Sequence, residues 1–313
     1  MATFRYDEIG QRLRAFRLAS GLSADEIRRR IGISRTALYR FEKGELVKIE
    51  TLEKLAELLD VSIPTLLGVG IEYQPSAVAY FERMRQIEEV TEHIIVLAGP
   101  ISFLLSSNAF EATLQTVLTE SINEDVLDRK RALADVPKIM DILHQRREAY
   151  RKRKPTIVNL ISATEIERFL NRGFIGRGAL PANVLAERRA IARAEVEHFI
   201  SIINEEPIGI QIGLVTDTLP ATGFQIFRQP DRKILSLSPF RLGEQPNVRV
   251  GVAMMTSAPE ALSLHEKAVG EMWRRAHKGP SAAACLKQLL ADAKESPAPT
   301  GRTNGSARSS SSK

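Results

Sequence analysis

The chain has a single cysteine, Cys285, among 313 residues, which excludes an internal disulfide and leaves a cysteine-rich metal centre without ligands. Its five histidines, His93, His144, His198, His265 and His277, are scattered with no pair at metal-ligand spacing, so no metal is expected. No apolar run reaches the roughly 18 residues that a membrane span needs. Charges interrupt Met1 to Arg14, where a signal peptide would carry its apolar stretch. A cytoplasmic protein with no membrane attachment is expected. Phosphate-cradling loops are also wanting. The run GFIGRG at 173–178 follows a helical stretch instead of a buried strand, and no Lys-Ser or Lys-Thr comes after it. It reads as an ordered loop, and no cofactor is expected.

What is present is enough apolar residue, 43%, for a sizeable core, in a chain long enough for two or three domains. The net charge of +6 fits an acidic partner, and its distribution says more than its size. From Met1 to Gly44 there are ten Lys or Arg against five Asp or Glu; from Glu45 to Gly70 the balance reverses, with two against five. Positive charge is therefore concentrated near the N-terminus, where it can draw in phosphates.

That basic region contains SADEIRRRIGISRTALYRFEKG, Ser23 to Gly44, which reads as two short helices joined by a tight turn. Ser23 is a good N-cap with Glu26 as its capping-box partner, and Ile27 and Ile31 share one face. Gly32 supplies a residue that tolerates left-handed geometry, Ser34 caps the second helix, and Gly44 closes it. In the second helix Ala37, Leu38 and Phe41 face inward, while Thr36, Tyr39, Arg40 and Lys43 recur on the other side and Arg35 sits beside them in the first turn. Such a face can enter a major groove, where arginine pairs bidentately with guanine and threonine or tyrosine meets thymine methyls or phosphates. An ordinary solvated helix face is the alternative.

On these residues, Ile9 to Leu67 resembles a lambda-repressor-like helix-turn-helix domain of the XRE family. The likeness rests on Gly32, Ile33 and Ser34 before the second motif helix, on Phe41, Glu42, Lys43 and Gly44 closing it, and on Thr51, Leu52 and the Leu58-Leu59-Asp60-Val61 turn beyond. The resemblance implies five helices and double-stranded DNA as partner. It places Arg35, Thr36, Tyr39 and Arg40 at base edges and nearby phosphates, and Lys43 beside them. Ser23, Arg28 and Lys48 are further candidates for phosphate. Ala24 stands where family members often carry a phosphate-binding glutamine, and Arg28 where they carry a small residue; Arg28, Arg29 and Arg30 could supply the replacement charge.

Tyr6 to Ser20 reads as the first helix of this domain, Glu50 to Leu59 as another, and Pro64 can open a short last one. Gly68, Gly70 and Pro75 mark a boundary. Ser76 to Thr91 then reads as a connecting helix whose residues Ala77, Tyr80, Met84, Ile87, Thr91 and Ile94 have the spacing of a helix-helix seam, either packed on its own domain or pairing two copies. Beyond it strands and helices alternate. His93 to Ala98, Thr156 to Ser162, Ile208 to Leu214 and Arg249 to Met255 read as strands, and Gly223 to Arg228 with Lys233 to Ser238 as a hairpin. Long helices are expected over Asp125 to Arg153, with Pro137 opening its second part, and over Asn183 to Glu205. The basic stretch Arg146 to Lys154 reads as a solvated helix end or a phosphate contact.

The expected fold class is a multidomain chain, an all-α five-helix headpiece followed by a mixed α/β domain. The expected divisions are a headpiece at 1–70, a connecting helix at 71–93, an α/β domain at 94–280, a last helix at 281–295 and a disordered Ser-rich tail at 296–313. The strand order of the second domain is loosely similar to half of a phospholipase-D-like domain. His265 and Lys267 have that family's spacing, but they lie two apart in a helix and its aspartate would fall on Met272. No catalytic residue is expected. The sum is a DNA-binding transcriptional regulator, expected to be a homodimer, with a second domain that senses a small-molecule effector, meets a protein partner or assembles copies. An antitoxin-like interaction module and a DNA-targeted phosphodiesterase are the alternatives. Pockets are expected at the loops after Ala98, Ser162 and Thr216.

Overall fold

The computed structural model describes residues 6–295 apart from 46–47, 98, 179, 218 and 221. The tail expected at 296–313 lies outside the described residues. Five helices come first, α1 (Tyr6–Ser20), α2 (Ala24–Ile31), α3 (Arg35–Glu42), α4 (Ile49–Leu58) and α5 (Ile63–Leu67). Their local signals act as expected. Ser23 and Glu26 close a complete capping box, Gly32 ends α2 in the left-handed region at φ 78°, and Ser62 caps α5 with Pro64 in its first turn. Leu13, Phe16, Ile27, Leu38, Leu55 and Leu66 converge in the core of this headpiece.

The rest is built on one eight-stranded mixed sheet. Its elements in chain order are β1 (Ile71–Gln74), α6 (Ala77–Glu88), β2 (His93–Leu97), α7 (Asn108–Glu120), α8 (Arg129–Arg153), β3 (Thr156–Ser162), α9 (Ala163–Arg172), α10 (Ala182–Glu205), β4 (Ile210–Val215), β5 (Phe224–Arg228), β6 (Lys233–Leu237), β7 (Ala253–Thr256), α11 (Pro259–Arg275), β8 (His277–Lys278) and α12 (Gly279–Glu295). The strand order is β1-β7-β6-β5-β2-β3-β4-β8. Strands β2, β3 and β4 are parallel, as helical crossovers require, and the remaining pairings are antiparallel. Strand alternation sorts side chains onto two faces. Ile94, Val96, Phe227 and Ile234 join the larger core with α6, α8, α9, α10 and α12; Leu97, Ile226 and Leu235 join a smaller one under α11.

Several expected elements take other forms. Residues 71–74, expected as part of a connecting helix, are a sheet strand, and α6 is buried on nearly every side, with Ala77, Tyr80, Met84 and Ile87 packed within this chain. The seam spacing is therefore used inside one molecule. Helix α8 continues unbroken across Pro137. Two arginines of the basic stretch are buried rather than solvated: Arg146 forks onto Glu88 at 2.8 and 2.7 Å, and Arg147 pairs with Glu111. Ile208 is fully exposed because β4 begins only at Ile210. Residues 249–252 form a turn, since Asn247 takes the amides of Arg249 and Val250 and donates to the carbonyls of Pro239 and Val250.

Headpiece and sheet are joined through α1, α6 and β1, which share a buried polar network. The Glu72 carboxylate accepts from Arg12 of α1 at 2.8 Å, from Arg83 of α6 at 2.6 Å and from Gln74 at 2.6 Å. Arg12 also donates to Glu8, which receives Arg232 from the β5–β6 turn at 2.7 Å. Arg83 donates to Gln86, whose amide reaches the Gln11 carbonyl. Burial opposes the charge on Glu72, yet Arg83 and Arg12 overcome it and hold the carboxyl below its usual 4.5. Because the folded state lowers this pKa, the stabilisation is complete above pH 4.5 and is lost as the pH falls through the depressed value. The melting temperature of the wild-type chain is accordingly expected to drop more steeply between about pH 5 and pH 3 than that of Glu72→Gln, which has no such proton to take up; parallel curves would remove the network from the acid response.

Candidate nucleic-acid interface

Helix α3 carries the candidate surface. Ser34 starts it by accepting the Ala37 amide at 3.1 Å, and Leu38, with no exposed surface, anchors its inner side. Ala37 and Phe41 are half-buried beside it. Arg35, Thr36, Tyr39, Arg40 and Lys43 are all exposed, so the two faces separate where the spacing put them. Arg28 is exposed on α2 with Arg29 and Arg30, and Lys48 is exposed at the N-cap of α4. The Ser23 hydroxyl is taken up by the capping box, accepting the Glu26 amide and donating to its carboxylate.

The position of α3 is set from α1. Gly10 lies so close that a Cβ placed there would stand 2.3 Å from the Phe41 carbonyl oxygen and 2.7 Å from that of Glu42. Arg17, also on α1, makes a two-pronged pair with Glu42 and carries its guanidinium 5.8 Å from the centre of the Tyr39 ring. At the far end, Gly44 adopts φ 93° and passes against the Asp7 backbone, an approach that only glycine permits. Three side chains or backbone contacts from one helix thus fix the rotation and depth of α3.

Two outward arginines already hold acidic neighbours. Arg35 lies 3.4 Å from Asp25 at the start of α2, and Arg40 pairs with Glu45 just past α3. The hydrogen bond from Arg40 holds the Glu45 carboxyl below its ordinary range, and the same bond raises the Arg40 guanidinium. Both pairs are exposed and exchangeable at small cost. Neither the Arg17 clamp nor these pairs were expected from the sequence. Arg17 stood in a helix with basic residues on several faces, and its partner is 25 residues away.

Elsewhere the candidate chemistry does not assemble. His265 donates its Nδ1–H to the Ala261 carbonyl within α11 and sets its ring edge-on to Phe224, whereas Lys267 is exposed. Loop 173–178 is a packing element, with Phe174 stacked on Phe110 at 4.2 Å and Gly176 against the Val117 carbonyl. Among the described residues no group of three His, Cys, Asp or Glu is placed to hold a metal ion, and no helix is long and apolar enough to cross a membrane.

Residues 8–67 match the model of a helix-turn-helix domain family. The match begins in α1 and ends with α5, so it spans the whole five-helix headpiece, including the face just described. No curated protein matches the chain. Among solved structures, one match is TrmBL2, an archaeal chromatin protein whose structure was reported to show a novel mode of DNA binding. It is 10% identical, with a TM-score of 0.30 over 73% of this chain and 59% of that one, so the chain spans less than two thirds of that protein's length.

Proposed function

We propose that the protein is a sequence-reading, DNA-binding transcriptional regulator of the lambda-repressor-like XRE type, with α3 as the helix that enters the major groove. The observation that carries this reading is the exposed face of Arg35, Thr36, Tyr39, Arg40 and Lys43 on a helix locked from α1, within the segment matched by the helix-turn-helix family. Short side chains near the start of a helix can approach base edges, and the arginine forks suit guanine or phosphate. Arg28, Arg29, Arg30 and Lys48 border the same region and supply sequence-independent attraction.

Binding sites selected from random duplexes, followed by titration, test it. Arg40→Ala is expected to weaken the selected site by about 1–3 kcal/mol and to relax preference at one position. Lys43→Ala should weaken selected and random duplexes alike and flatten the salt slope by about one unit. Full affinity in a folded chain lacking all of Arg35, Thr36, Tyr39 and Arg40 would end the assignment.

Two copies on one site complete the reading, since a single recognition helix covers few base pairs and half-sites one DNA turn apart are read by paired domains. The free edge of β1, with Ile71 and Tyr73 43% and 47% exposed and the headpiece three residues upstream, is where we place the second copy. No catalytic role is assigned to His265 or Lys267; the sheet domain serves sensing and assembly.

A further inference from the structure

A cavity of about 510 Å³ opens where the C-terminal end of β2 meets the first turn of α9, the start of β5 and the loop after β6. Its volume lies within the range of about 300–1,000 Å³ typical of small-molecule sites, and the ends of parallel strands are where such sites form in α/β sheets. Five aromatic residues line it: Tyr80, Phe81, Phe103, Phe224 and Phe240. Tyr80 is the hub, its ring 5.3 Å from that of Phe81 and 5.8 Å from that of Phe240, with its hydroxyl held by Ser236.

Three charged residues share this lining, and their states differ. Arg146 is spent on Glu88 in a buried fork. Arg241 is exposed and belongs to the rim. Glu165 is half-buried, and its carboxylate occupies the space over Gly99, 1.3 Å from where a side-chain carbon on that residue would begin. Among the described residues nothing donates to that carboxylate. An aromatic box with one unanswered negative charge has the chemistry that selects a cation bearing a flat apolar body, because ring faces and carboxylate attract the same charge.

We propose that this cavity binds an aromatic organic cation, its rings packed among Tyr80, Phe81 and Phe240 and its ammonium or amidinium group paired with Glu165. The wall formed by α6 ties the site to the headpiece. Tyr80 and Phe81 line the cavity, and less than one turn onward Arg83 enters the Glu72–Arg12 network that holds α1, which in turn sets α3. Any effect of the ligand on DNA rests on the regulator reading; binding in the cavity does not.

Three compounds that share the indole ring test the site on the full chain: tryptamine, indole and indole-3-acetate, cationic, neutral and anionic at pH 7. Tryptamine is expected to bind at least tenfold more tightly than indole by calorimetry and to raise the melting temperature, with indole-3-acetate weakest. Glu165→Gln, checked for native near-ultraviolet dichroism, should bring tryptamine down to the level of indole. Equal binding of all three, preference for the anion, absence of tryptamine binding, or an unchanged preference in Glu165→Gln would each overturn the proposal. Titrating a selected duplex with and without tryptamine separates the two readings: a chain that binds tryptamine through Glu165 but never binds DNA keeps the cavity and loses the regulator.

Discussion

Glu72→Ala is expected to destabilise the chain by about 3–5 kcal/mol, the usual consequence of removing one partner from a buried ion pair. The magnitude follows from what remains. Arg83 is only 2% exposed, and burial, with repulsion from Arg12, pushes its guanidinium down even while Glu72 opposes the shift; without Glu72 it would face Arg12, a second buried cation, across a void. Arg12 keeps Glu8, so the larger share of the loss falls on Arg83. The double variant Glu72→Met with Arg83→Met removes both charges and should recover much of that loss, because an apolar pair of similar volume need not be desolvated as ions are. Urea denaturation of the three proteins decides the matter. A loss below about 1 kcal/mol for Glu72→Ala would mean that water reaches the network and relieves it.

Gly10→Val should displace α3, the helix proposed to read DNA. The new Cβ would stand 2.3 Å from the Phe41 carbonyl oxygen, whereas a carbon and a carbonyl oxygen approach to about 3.3 Å, so α1 and α3 must separate by roughly 1 Å. The atoms in the way are backbone and cannot rotate aside. Replacing glycine in a helix interior gains about 0.4 kcal/mol of propensity for valine, far less than the roughly 3 kcal/mol that overpacking at backbone costs. The Arg17–Glu42 clamp moves with the helix, and we expect at least a tenfold loss of affinity for a selected duplex in a chain that remains folded at 25 °C. Stability and DNA affinity both equal to wild type would show that this close approach does not position α3.

The local parts of this molecule were legible because their causes are local. Ser23 and Glu26 are three residues apart and close a capping box whatever surrounds them, and the alternation of Leu38 with Tyr39 and Arg40 already separates the two faces of α3. Strands β2 and β3 read as short apolar runs, the first closed by Gly99 and Pro100, and β4 as Ile and Leu alternating with Gly and Gln. What escaped has partners far away in sequence. Strand β1 points Glu72 and Gln74 into the protein and Ile71 and Tyr73 outward, so its burial runs against its polarity; only Arg12 and Arg83 make that arrangement affordable. Arg146 looked like one charge in a solvated run because Glu88, 58 residues earlier, gives no local sign of its role. The two-residue β8 and the unbroken course of α8 through Pro137 likewise depend on packing that no window of sequence contains. In the candidate interface the exposed residues could be read off, whereas Asp25 and Glu45, which hold two of them, could not.

The join between headpiece and sheet has a consequence for the spacing of a DNA site. Only three residues separate α5 from β1, and α1 is bolted to α6 by the Glu72 network, so the headpiece has no tether on which to swing. Each inserted base pair moves one half of a duplex site by about 3.4 Å and turns it by about 34° relative to the other. Two headpieces on flexible arms can follow such a change; two that are built into the body of their own chains cannot. In the proposed pair of molecules on one site, the number of base pairs between half-sites would be as much a part of the recognised sequence as the bases under α3.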